Sequence, residues 1–442
     1  MANRLLSVPF SCLLALVAGA ATALPAQQIP EGMTANVQSL SASTSLVLET
    51  ASGTVTFDGT AVRLAPPGQV LRTLLQLPSF VFGSFLLQTG PNDILFGHTG
   101  SQDAVWHLPL QGPAPTQPLA LVTLNYDAVM LTATSVLLSA RTAGWSAPDN
   151  DLLVLDLVTG GTQLVGRVSG ASGPLAIASN GDVYYATGFI GFPVPPASTT
   201  VLRFRRSRFD QAMLTHRVLG LAQAETVMAG LDAAGDLAFD DDGDLLFVDW
   251  FNGRVGEISD AVGPTPWLAP PLVDYGTAAV FPNTLQFVAG SRGGVFEPFQ
   301  PTNGSLLVHE TDYLALSQLR TLRAAPVDLV VTGGVPIPLG PFGFVVSNGP
   351  SLGLGVVAFA FGGAPGIVTL HVPGFEQPLA WSQALVTAPL LLSVAFDASG
   401  AATLTIGNPG FAPAIAATAQ VAFVSSVGVL GATAPVALLV GQ

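Results

Sequence analysis

Four carboxylates crowd one short turn: Asp240, Asp241, Asp242 and Asp244, with Gly243 among them. Calcium takes several oxygen ligands, but a calcium loop also needs an acid at its twelfth position, and Phe251 stands there. The apolar runs Leu237–Phe239 and Leu245–Val248 flank the turn, so its acids read as solvated hairpin chemistry with Gly243 supplying the positive φ. The five histidines, His98, His107, His216, His309 and His371, are scattered and make no zinc-ligand spacing. Gly349-Pro350-Ser351-Leu352-Gly353 matches a nucleophile elbow, which requires a strand-to-helix turn and then an acid and a histidine in that order. Here Pro350 precedes the serine, a β-rich run follows, and His371 comes before Asp397. Gly353 to Ala358 fails as a dinucleotide loop because no helix follows it. No catalytic residue, metal site or cofactor is assigned.

One basic cluster remains: Arg203, Arg205, Arg206 and Arg208, interleaved with Phe204 and Phe209. Such a cluster could grip an anionic glycan or another acidic polymer. The plainer reading is a solvated strand that offsets the acidity of the chain.

That acidity is general. The chain of 442 residues has 28 acids against 14 bases, all arginine, for a net charge of −14. A nucleic-acid partner needs a basic footprint, so it is excluded. Charged residues make up only 10%, with Gly 48 and Pro 35, which points to a turn-rich, all-β globular protein. Arg4, the apolar Leu5–Val17 and the small-x-small site Ala21-Thr22-Ala23 read as a secretory signal over residues 1–23. The single cysteine, Cys12, lies within it, leaving a mature chain without thiols. Secretion to an extracellular, periplasmic or cell-surface location follows, with no membrane span after signal removal. A transmembrane helix within 415–440 is disfavoured by Gln420, Ser425, Ser426 and Pro435.

Strand-like runs and turns parse from about residue 44 into units near 40–50 residues, the length of a propeller blade. The first would hold Ser45–Glu49, Gly53–Asp58, Thr60–Leu64 and Gln69–Leu75. Leu175–Ala186, with Asn180-Gly181-Asp182 at its turn, matches Leu237–Val248 position for position. These two stretches resemble NHL-type β-propeller repeats. The resemblance implies about six blades over 44–326, with a leader or closing strand in 24–43. Closure would use a strand around Val37–Leu46, or Tyr313–Leu322 instead. Beyond Pro326 the charge nearly vanishes and apolar runs recur every 8–12 residues, as in a β-sandwich over 327–442. This part is similar to a low-charge C-terminal β-module of secreted bacterial proteins. The expected fold is thus all-β: an approximately six-bladed propeller followed by a sandwich.

In the repeat resembled, the turns joining second and third strands open on the face where propellers usually bind ligands. That implies a ligand set of His98, Arg141, Trp145, Phe189, Phe192, Trp250, Phe251, Asn252 and Arg292. Aromatic side chains with a few Arg and Asn suit an extracellular glycan or a protein ligand. Arg254 is expected to tie its strand to Asp249. Two rival functions stand beside a binding protein. One is a metal-dependent enzyme of the gluconolactonase or lyase kind. Glu31-Gly32 resembles the Glu-Gly-Pro opening of the gluconolactonase family, although Met33 replaces the proline and no metal set is visible. The other is a structural cell-surface protein.

Overall fold

The computed structural model describes residues 33–440, apart from 42, 101, 171–172, 188–196, 233, 241–242, 250–253, 269–272, 275–283, 289–304, 312–316, 326, 333–341, 362–365, 371–378, 387–389, 408–414 and 426–429. The expected signal segment therefore lies outside the described residues. Strand β1 is Met33–Ser39. Blade 1 follows as β2 (Leu46–Thr50), β3 (Gly53–Phe57), β4 (Ala61–Ala65) and β5 (Arg72–Gln76). Blade 2 is β6 (Phe82–Gly90), β7 (Asp93–Thr99) and β8 (Ala104–Pro109), with an isolated bridge from Val105 to Ala120 in the fourth-strand place. Blade 3 is β9 (Asn125–Thr132), β10 (Ser135–Ala140), β11 (Asp149–Asp156) and β12 (Thr162–Ser169). Blade 4 is β13 (Leu175–Ile177), β14 (Val183–Ala186), β15 (Thr199–Phe204) and β16 (Glu225–Leu231), interrupted after β15 by helix α1 (Arg206–Thr215). Blade 5 is β17 (Ala234–Phe239), β18 (Leu245–Asp249), β19 (Arg254–Ser259) and the short β20 (Trp267–Leu268) and β21 (Val273–Asp274). Blade 6 is β22 (Thr284–Phe287), β23 (Ser305–Thr311) and β24 (Ser317–Ala324).

Each blade has two apolar faces and buries them only against its neighbours. Between successive blades lies a separate core: Phe57 with Phe96, Leu95 with Val136, Leu137 with Tyr185, Tyr184 with Leu245, and Leu246 with Val308. The sixth core returns to the start, where Val288 and Leu319 of blade 6 meet Val47 of blade 1. The ring is therefore shut. Its clasp is β1, which pairs antiparallel with β24 from Met33↔Ala324 to Ser39↔Gln318. Closure thus uses an N-terminal strand on the last blade, a few residues ahead of the expected Val37–Leu46, and its partner β24 overlaps the stretch Tyr313–Leu322 offered as the alternative.

The turns of blades 4 and 5 explain why their sequences match. Asp182 and Asp244 are buried, and each carboxylate accepts an amide from beyond the third strand: Arg206 N at 2.8 Å and Asp260 N at 2.9 Å. Gly181 at φ 83° and Gly243 at φ 99° turn the chain so that this carboxylate points inward. Asp240 Oδ1 accepts the amides of Gly243 and Asp244, which is the hairpin role read from the sequence. Asp249 and Arg254 stand opposite each other across the β18–β19 ladder.

The C-terminal part is a sandwich. Sheet β25 (Asp328–Thr332), β26 (Phe342–Ser347) and β31 (Ala402–Ile406) faces a larger sheet. In that sheet β27 (Leu354–Phe361) and β32 (Ile415–Val424) are central, β30 (Leu390–Ala395) is one edge, and β33 (Leu430–Ala432) and β34 (Val436–Val440) both pair with β32. Phe342, Phe344, Phe359, Phe396 and Phe423 fill the space between the sheets. The hairpin β28 (Ile367–Leu370) and β29 (Leu379–Ser382) covers part of the outer face, seating Trp381 against Ala358 and Ala360. Gln420 staples these layers: its Oε1 accepts Ser382 N and its Nε2 donates to Thr433 O, both at 2.8 Å. The stretch 415–440 is thus three strands, and no helix among the described residues is long and apolar enough to cross a membrane. Ser351 sits in a turn and donates to Ala398 O at 3.1 Å, away from any strand-to-helix junction.

Two consequences of the closure are measurable. Leu322 is fully buried in the clasp, so Leu322→Ala should destabilise the protein by about 2–5 kcal/mol in chemical denaturation. His309 of β23 is 1% exposed, shares Nε2 with Ser317 Oγ at 2.9 Å, and is held by burial at a pKa of about 4. Its depressed pKa means the unfolded chain binds a proton first, so stability falls as pH drops from 6.5 towards 4. The full loss is about 3 kcal/mol, and His309→Gln should flatten that part of the stability-versus-pH curve.

Candidate functional site: the loop face of the propeller

Antiparallel strands put two kinds of connection on one face: the turn between second and third strands, and the crossing from one blade to the next. Hydrogen bonds tie the two kinds together around the ring. Val81 N donates to Gly59 O at 2.9 Å, Leu124 N to Asp103 Oδ2 at 2.8 Å, Gly170 N to Pro148 O at 3.1 Å, and Ala197 N to Asp232 Oδ1 at 2.8 Å. Asp103 and Asp232 thus serve as loop clamps.

Of the expected ligand set, Phe189, Phe192, Trp250, Phe251, Asn252 and Arg292 lie outside the described residues. Trp145 is on this face and 75% exposed. Its loop is two consecutive turns, Gly144 N to Arg141 O at 2.9 Å and Ala147 N to Gly144 O at 3.0 Å. Arg141 closes the loop by donating Nη2 to Ala147 O, so this arginine braces the loop that carries Trp145. His98 differs from expectation: it belongs to β7 rather than a loop and is buried. Trp106 Nε1 donates to His98 Nε2 at 3.1 Å, and an indole N–H only donates, which places the ring proton on Nδ1. Burial lowers the His98 pKa, partly opposed by Asp103. His98 is a neutral packing residue with no route to a ligand.

Sequence reasoning missed three other aromatic and apolar side chains on this face. Phe80 in the crossing from blade 1 to blade 2 and Phe82 at the start of β6, 60% and 51% exposed, form an edge-to-face pair at 5.3 Å. Phe80 lies over Gly59, where an added Cβ would come within 2.3 Å of its ring. Leu121, in the next crossing, is also exposed. With Trp145 they form an apolar arc over blades 1 to 3. Among the propeller residues whose side chains are described, every exposed Phe or Trp is on this arc.

Three inner strands also carry a β-bulge at their loop-face ends, with Ser84, Tyr126 and Gly235 as the extra residues. Bulges re-aim side chains and recur beside functional sites. The hydroxyl of Tyr126 on blade 3 donates to Gly235 O on blade 5 at 3.2 Å, passing over blade 4. Asp127 and Asp236 follow the bulged residues and are half-buried; Asp127 Oδ2 accepts Leu175 N of blade 4 at 2.7 Å. Polar groups of blades 3 and 5 thus gather at the loop-face ends of the inner strands. Among the described residues, no group of three or more His, Cys, Asp or Glu comes together to hold a metal ion.

No protein-family model and no curated protein matches the chain. Solved structures do. A luciferin-regenerating enzyme aligns over 66% of this chain and 96% of its own, at 12% identity and a TM-score of 0.44. The calcium-binding protein regucalcin from Agrobacterium tumefaciens aligns over 64% and 92%, at 13% and 0.38. PorZ, a surface component of the type-IX secretion system of Porphyromonas gingivalis, aligns over 94% of this chain and 59% of its own, at 10% and 0.38. These are propeller-type proteins. The similarity is too low to carry any statement about activity.

The arginine cluster is spent internally. Arg203 gives Nε and Nη2 to Glu225 at 3.1 and 2.8 Å and Nη1 to Val262 O at 3.0 Å. Arg205 pairs with Glu225 and Asp182, and Arg206 with Asp210 at 2.7 Å. Arg205 and then Arg203 hold the Glu225 carboxyl below its ordinary pKa. Arg203 joins blade 4 to blade 5, and Arg205 and Arg206 make their pairs within blade 4 and at the start of α1, where a solvated strand was expected. Arg203→Ala should cost about 1–3 kcal/mol in thermal unfolding, yet leave retention on a polyanion column unchanged.

Proposed function

We propose that this chain is a secreted binding protein that holds a neutral glycan or a peptide on the loop face of its propeller. The arc of Phe80, Phe82, Leu121 and Trp145 carries this reading, because the exposed aromatic side chains described in the propeller gather at this one face. A Trp exposed to this degree on a doubly turned, arginine-braced loop supplies contact area at low entropic cost. An anionic polymer is disfavoured, since the chain is at −14 and Arg203, Arg205 and Arg206 face carboxylates of their own.

In this reading residues 1–23 are a cleaved signal, 24–43 include the closing strand, 44–326 form an NHL-type propeller and 327–442 a secreted β-module. Trp250, Phe251, Asn252, Phe189, Phe192 and Arg292, which lie outside the described residues, would belong to the same ligand surface.

A glycan and peptide array probed with purified protein is the direct test. Combined substitution of Phe80, Phe82 and Trp145 by Ala should weaken any ligand found by at least about tenfold, measured by calorimetry with folding checked by circular dichroism. Unchanged affinity in a folded variant would remove this face from consideration.

A further inference from the structure

Several strand edges of the sandwich carry no charge, and among them β30 is the one that exposes two leucines. The outermost strands of the propeller are blunted: β5, β12 and β16 belong to ladders broken by bulges and carry Arg72, Arg167 and Glu225. The clasp strand β1 presents Thr34, Asn36 and Gln38, all exposed. Edge β25 of the smaller sheet carries Asp328. Charge and bulging are the usual means of stopping one sheet from pairing with another. Strands β31, β34 and β30 have neither, and of these β30 has the most apolar exposed edge. It reads Leu390-Leu391-Leu392-Ser393-Val394-Ala395, and it pairs with β27 in unbroken register from Phe359↔Leu390 to Leu354↔Ala395. Among the described residues no strand lies on its other side. Leu390 and Leu391 are exposed, as is Leu354 on the neighbouring strand.

Charge indicates what this edge accepts. Residues 327–442 contain three of the 28 acids, Asp328, Glu376 and Asp397, and none of the 14 bases. Two copies of a chain at −14 repel each other wherever propeller meets propeller, and least where sandwich meets sandwich. A β30 edge facing its own copy brings no like charges opposite each other, the arrangement that most weakens a cross-strand pair. We propose that β30 is a self-association edge at which a second copy adds its own β30, antiparallel, to extend the β30–β27–β32 sheet across a two-fold axis. Pairing about Ser393 sets Leu391 opposite Ala395 of the second copy and keeps core-facing residues facing the core. The assembly is isologous, so it closes as a dimer instead of growing.

Sedimentation velocity on the purified protein over a concentration series tests this. The wild type should shift from monomer to dimer at concentrations up to roughly 100 µM. Ser393→Lys places two ammonium groups together at the two-fold and should raise the dimer Kd by roughly tenfold or more. Ala395→Lys should act in the same direction. Val158→Lys, on the exposed turn after β11, should dimerise like the wild type. Circular dichroism of each variant keeps unfolding separate from dissociation. The proposal is overturned if the wild type stays monomeric throughout, or if folded Ser393→Lys and Ala395→Lys both dimerise as tightly as the wild type.

Discussion

Everything in the propeller depends on closing the ring. A blade that is apolar on both faces has no stable existence at the end of a row, because one face would stay wet. Among the described residues six inter-blade cores hold this one together, and the core of Val47, Val288 and Leu319 is the one that joins blade 6, with β1 as its outer strand, back to blade 1. The placement of Tyr126, of the Trp145 loop and of the loop clamps all presupposes that ring. No disulfide contributes, since Cys12 is the only cysteine. The ring is kept by apolar burial and by buried polar bonds at its seams, such as Tyr184 OH to Ala261 O at 2.8 Å.

Buried polar groups divide between two tasks. Asp182, Asp244 and Gln420 fix turns and layers, each satisfied by backbone partners. Arg203 of β15 binds blade 4 to blade 5 through Val262 O, while Arg205 ties the end of β15 to β16. The loop face is different: carboxylates there clamp loops, a tyrosine reaches from blade 3 to blade 5, and aromatics are left in water. Loops posted on a rigid scaffold are the usual place for recognition.

The sequence was most readable where a local rule had a single solution. Asp-Gly and Asn-Gly between apolar runs specify hairpins, and both appear with their glycines at positive φ. The first blade was parsed to within a few residues at each strand. Helix α1 was missed because its residues, Arg206–Thr215, have no apolar period; it is fixed by ion pairs and by Phe209 against blades 3 and 4. His98 was misplaced by a few residues, which moved it from a buried strand to an imagined loop. Tyr126, Asp127 and Asp236 were overlooked because a bulge is a property of two strands in register and leaves no mark on one strand alone. A polar residue just ahead of an apolar run in both Asp127-Ala128 and Asp236-Leu237 was the available hint. The aromatic arc was invisible for a similar reason: Phe80, Leu121 and Trp145 are far apart in the chain, and only the ring brings them to one face.

The clasp also governs how the molecule comes into being. Thr34 and its partner Arg323 are 289 positions apart. Bringing such distant ends together costs about 5 kcal/mol of chain entropy beyond a constant. The last native contact of the ring must therefore wait until five blades have formed to hold the ends near each other. Until then blade 6 has an open strand edge and blade 1 an uncovered face, so folding should be slow and late intermediates prone to aggregation. A strand of seven residues, most of them exposed, thus decides less about the shape of the finished propeller than about how quickly it is reached.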